Sequence, residues 1–81
     1  MSNKEFIIKV NGTDHTLTDE TVTYIQVVQL AYPDFVSGGN KTASVTFEHA
    51  KEPKQGTLSE GGTVIVKPRN TEFDVIRANR S

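Results

Sequence analysis

The sequence contains no cysteine. Disulfide bridges, thiolate metal sites and a cysteine nucleophile are therefore excluded. Small secreted domains usually need such staples, so the cytoplasm is the expected compartment. Long apolar runs are also missing. Near the start the longest is Phe6-Ile7-Ile8, too short for a signal peptide or a membrane span. No excess of one charge exists either: nine basic residues meet ten acidic ones, for a formal charge of -1, and Lys and Arg form no cluster. That argues against nucleic acid as the main partner, because such binding rests on neutralising phosphates. His15 and His49 are the only histidines. A metal or acid/base site would need them to meet carboxylates, or each other, in a defined geometry. They fall on different expected elements with no local spacing to join them.

What is present fits one small domain. The 81 residues are 35% apolar and 23% charged, too short for a second hydrophobic core. At roughly 0.05–0.15 kcal/mol per residue, the expected stability is about 4–12 kcal/mol. With so little slack, most apolar residues should be structural.

Phe6 to Val10 is rich in β-formers and reads as a strand. Asn11-Gly12 follows, a hairpin signal, because both residues tolerate the positive φ of tight primed turns. Asp14 to Thr18 reads as the returning strand, with His15 and Leu17 on one face. Thr23 and Gln26 then have capping-box spacing, and Val22 and Val27 sit where a hydrophobic staple would close over that cap. Ile25, Val28 and Tyr32, with Ala31 beside them, form a helical stripe, and Pro33 ends the helix at about Ala31. Val36 to Lys41 is a Gly-rich connection. Thr42 to His49 alternates as a strand, Ala50 to Gly56 is a polar loop, and Thr57-Leu58 is a short extended piece. Glu60-Gly61-Gly62 turns into a strand from Thr63 to Lys67, and Thr71 to Arg77 forms the last strand. One helix packed on a mixed sheet of four to five strands is an α+β plan that suits this length. The expected core is Phe6, Ile8, Val10, Leu17, Ile25, Val28, Val45, Phe47, Val64, Val66, Phe73 and Val75.

No motif carries catalysis. Ser37-Gly38-Gly39-Asn40-Lys41-Thr42 superficially looks like a phosphate-binding loop, but Asn40 replaces the glycine before the lysine and a strand follows instead of a helix. Nothing marks a strained nucleophile turn. Ile7, Ile65 and Ile76 are out of phase with their core-facing neighbours. At least two of them are expected to share an exposed apolar patch, a partner-binding surface on the sheet face away from the helix.

The chain resembles the bacterial multiubiquitin-type ubiquitin-like proteins. The likeness rests on Asn11-Gly12-Thr13, Val27-Val28 with Leu30-Ala31, Val45-Thr46-Phe47, Gly56-Thr57-Leu58, Gly61-Gly62, Val64-Ile65-Val66-Lys67 and Phe73-Asp74-Val75. It covers nearly the whole chain, and the order and spacing of these pieces carry it. The resemblance implies a ubiquitin-like β-grasp fold and a role as a protein modifier. Its implied partners are an E1-like activating enzyme, an E2-like conjugating enzyme and a deconjugating or processing protease. Related bacterial systems are linked to defence against phage. No cofactor, metal or catalytic residue of its own is expected, and the free domain is expected to be monomeric.

The expected organisation is a domain over residues 1–76 and a flexible tail over 77–81. That tail, Arg77-Ala78-Asn79-Arg80-Ser81, departs from the ubiquitin pattern, which ends in two glycines. The two Gly-Gly pairs here, Gly38-Gly39 and Gly61-Gly62, are internal and read as turns. Three uses of the chain stay open: a modifier joined through a carboxylate on Ser81 or on a trimmed end such as Asn79, an unconjugated interaction domain, and a sulfur carrier. The last normally needs a terminal Gly-Gly thiocarboxylate.

Overall fold

The computed structural model describes residues 4–35 and 41–79. Strand β1 (Phe6–Val10) turns at Asn11-Gly12 into β2 (Thr13–Leu17). Asn11 and Gly12 have φ of 51° and 86°, the left-handed values that a two-residue primed turn demands. The short strand β3 (Thr21–Thr23) leads into α1 (Tyr24–Ala31). There follow β4 (Lys41–Glu48), β5 (Gly56–Leu58), β6 (Thr63–Ile65) and β7 (Thr71–Asn79).

Five strands form one mixed sheet in the order β2-β1-β7-β4-β5, while β3 and β6 pair separately. The neighbouring strands β1 and β7 run parallel, and every other pairing is antiparallel. With α1 packed on one face, this is the expected α+β β-grasp plan.

The helix start follows the sequence signal closely. Thr23 is the N-cap: the Gln26 N–H donates to its hydroxyl at 3.2 Å, and the Thr23 N–H donates to the Gln26 side-chain oxygen at 3.4 Å. Val22 and Val27, the staple pair, are both fully buried. Tyr32 closes the helix with a non-helical backbone, φ -134° and ψ 87°, in keeping with the bias of a residue before proline away from the helical region.

Ten of the twelve expected core residues are buried, but Leu17 and Ile25 are only half-buried against the cluster. The helix is rotated from the expected stripe. Tyr24, Val27 and Val28 face the sheet, with Ala31 packed behind them. The reason lies upstream: β3 pairs Val22 with Val64 immediately before the helix, and this entry sets the helix phase. Tyr24 enters the core because its hydroxyl donates to the Ala43 carbonyl at 2.8 Å, which satisfies its polar tip. Phe35 and Ala50 from connecting segments, and Leu58 from β5, complete the core. At its centre the rings of Phe47 and Phe73, directly opposite in register, lie 5.9 Å apart at 42°.

Candidate functional site

Strand alternation gives the sheet an outer face turned away from α1. In register, one row across it reads Asp14, Lys9, Glu72, Glu48. Lys9 reaches Asp14 at 3.9 Å, with both side chains half or more exposed. Such a pair contributes little in water. Glu72 stands directly opposite Glu48, and both are exposed, an arrangement of like charges that costs some stability. A groove of about 270 Å³ opens at this level, lined by Ile7, Lys9, Asp14, Arg69 and Glu72 among others.

The three isoleucines expected to form a patch are not brought together. Ile76 is 68% exposed, the single large apolar side chain so exposed among the described residues. Ile7 shares the outer face but is half-buried. The β1–β7 register sets it level with residue 70, so Ile76 lies six positions further along β7, about 20 Å at ~3.3 Å per residue. Ile65 is half-buried on the separate β3–β6 pair, opposite Thr21. The patch expectation is thereby corrected. The sheet's length parts Ile7 from Ile76, and β6 has left the main sheet.

The end of the chain also differs from expectation. The sheet does not stop at Ile76: β7 continues through Asn79, with Arg77, Ala78 and Asn79 opposite Ala43, Thr42 and Lys41. Three of the five residues assigned to a flexible tail are thus strand residues, while Arg80 and Ser81 lie outside the described residues. Arg77 is held twice. Its guanidinium lies 4.6 Å from the centre of the Tyr32 ring and 3.4 Å from the Asp34 carboxylate. β7 is also gripped upstream by Asn11. The Val75 N–H donates to the Asn11 side-chain oxygen at 2.8 Å, and the Asn11 amide donates to the Val75 carbonyl at 3.0 Å. The Asn11 side chain thus substitutes for one more residue of β1.

These partners were invisible in the sequence. Asn11 was legible only as a turn residue, and its reach to Val75 spans 64 positions. Tyr32 and Asp34 flank Pro33 and read as the end of a helix.

The histidines do not meet a ligand set. His15 is half-buried in β2, and His49 is exposed in a turn with φ of 63°. Among the described residues, no group of three or more His, Asp or Glu side chains could hold a metal ion. The buried Thr71 hydroxyl is used structurally: it donates to the His49 carbonyl at 3.0 Å and accepts from the Lys67 N–H at 3.1 Å. Gly61 has φ of 83°, so Gly61-Gly62 is a turn, while the segment from Ser37 to Asn40, with Gly38-Gly39, falls outside the described residues. No helix among the described residues is long and apolar enough to cross a membrane.

The family model for Multiubiquitin matches residues 6–79. The chain belongs to the Multiubiquitin family. No curated protein and no solved structure gives a match. The Multiubiquitin match runs from the first residue of β1 to the last of β7. It therefore takes in Arg77, Ala78 and Asn79 with the folded unit, as the strand pairing does.

Proposed function

We propose that this Multiubiquitin domain is a ubiquitin-like protein modifier. Its carboxyl-terminal carboxylate, on Ser81 or on an earlier residue exposed by trimming, is activated by an E1-like enzyme through adenylation. An E2-like enzyme then passes it to a nucleophile on a target, and a protease processes or reverses the linkage. The domain supplies a recognition surface and a carboxylate, and the partners supply the catalytic side chains. The setting is bacterial antiphage defence in the cytoplasm, with the free domain a monomer. The observation that carries this reading is the family match over the whole folded unit.

A second reading is favoured by one specific feature. Arg77 to Asn79 are paired in the sheet, and Ile76 is openly exposed beside them. An unconjugated domain that docks through the Ile76 end of the outer face would use both. ATP–pyrophosphate exchange with the cognate activating enzyme separates the two. Exchange that depends on the domain, and is lost on deleting residues 78–81, supports the modifier. No exchange with the intact chain rejects the modifier reading and leaves the docking domain.

A further inference from the structure

The hold on β7 changes abruptly at Val75. Up to that residue the strand is held on both edges: β4 lies on one side, and β1, extended by the Asn11 side chain, lies on the other. Beyond it, among the described residues, only β4 pairs with the strand. Side-chain anchoring changes at the same place. Phe73 and Val75 are buried, whereas Ile76 is 68% exposed and Arg77 half-buried. Lifting the strand beyond Val75 would therefore draw neither Ile76 nor Arg77 out of the buried core. It would break one ladder and the contacts of Arg77 with Tyr32 and Asp34.

We propose that the end of β7 is a releasable latch. Residues 77–79 alternate between a sheet-paired state and an extended, free state, and the Arg77 contacts to the Tyr32 ring and the Asp34 carboxylate set the balance. The chain hinges after Val75, where the Asn11 clamp ends. The energetic argument is one of scale. A cation–π contact at an exposed site and a surface ion pair are each small. With neither Ile76 nor Arg77 in the buried core, the segment opens at lower cost than the strand up to Val75, so small contacts change its open population severalfold while leaving the global fold alone. This deepens the modifier reading and rests on it for its purpose. An enzyme channel that takes up this segment needs it out of the sheet, so the latch would gate activation.

Trypsin tests the latch without any conjugation enzyme, because cleavage after Arg77 needs that segment extended and out of the sheet. When opening and closing are fast relative to cleavage, the cutting rate follows the open population. Tyr32→Leu removes the ring and Asp34→Asn removes the charge, and neither residue belongs to the buried core. Each should raise native-state cleavage of the Arg77–Ala78 bond about two- to fivefold, the equivalent of one such contact. Tyr32→Phe keeps the ring and should cut at the parent rate. Equal rates in all variants would overturn the latch. So would a rise matched by an equal fall in global unfolding stability. The same variants assayed for ATP–pyrophosphate exchange test the purpose separately. Faster cutting together with faster exchange supports gating. Faster cutting with no exchange in any form keeps the latch and rejects the modifier reading.

Discussion

Replacing Phe73 by Ala tests the packing argument at its centre. Phe73 is 1% exposed on the middle strand of the sheet, with β1 on one side and β4 on the other. Its ring meets Phe47 at 5.9 Å in a tilted arrangement. Removing it strips the transfer energy of a benzyl group and leaves a cavity that two flanking strands cannot easily close. The expected loss is about 3–5 kcal/mol. Set against about 4–12 kcal/mol for a chain of this length, that removes about a quarter of the stability at the least. In urea, with a slope of about 1 kcal/mol/M for so small a domain, the midpoint should fall by about 3 M or the variant should already be unfolded. The measurement is equilibrium unfolding of the parent, Phe73→Ala and Phe47→Ala, followed by circular dichroism. A double-mutant cycle between the two should show a coupling of about 0.5–1.5 kcal/mol from the ring pair. A loss below about 1 kcal/mol for Phe73→Ala would refute the placement of this residue at the core centre, since truncations at surface positions fall within about 0.5 kcal/mol.

Three further outcomes follow from local geometry. Asn11→Gly keeps the left-handed turn but removes both bonds to Val75; it should cost about 1–2 kcal/mol in thermal or urea unfolding and speed amide exchange at Val75. Thr23→Ala breaks the capping box and should cost about 1 kcal/mol, with the first turn of α1 losing exchange protection ahead of the rest of the helix. Ile76→Asp, at a position already open to water, should change stability by no more than about 0.5 kcal/mol. In pull-down or calorimetric assays with a partner that uses this face, the same substitution should weaken binding, and unaltered affinity would remove Ile76 from the proposed surface.

Local chemistry was readable from the residues in order. The Asn11-Gly12 turn, the Thr23–Gln26 cap and the stop at Pro33 each depend on neighbours within four positions, so their physics is contained in a short window. Strand alternation likewise placed Phe6, Ile8, Val10, Val45, Phe47, Phe73 and Val75 on one face. The family likeness was legible for the same reason, because turns and apolar positions recur in a fixed order along the chain. Other features depended on which strands became neighbours. The helix phase was set by the pairing of Val22 with Val64, a contact between the expected strand at Thr63 and β3, a three-residue strand too short to announce itself. The patch of Ile7, Ile65 and Ile76 failed because parity gives a face but not a distance along it, nor which sheet a strand joins. The end of the domain moved from Ile76 to Asn79 because β4 offers three more partners there, and side chains from Asn11, Tyr32 and Asp34 hold the strand on either side of that boundary. Periodicity and turn chemistry are properties of adjacent residues and survive in a linear string. Register, sheet membership and long-range clamps are properties of pairs brought together by folding, and only the tertiary structure decides them.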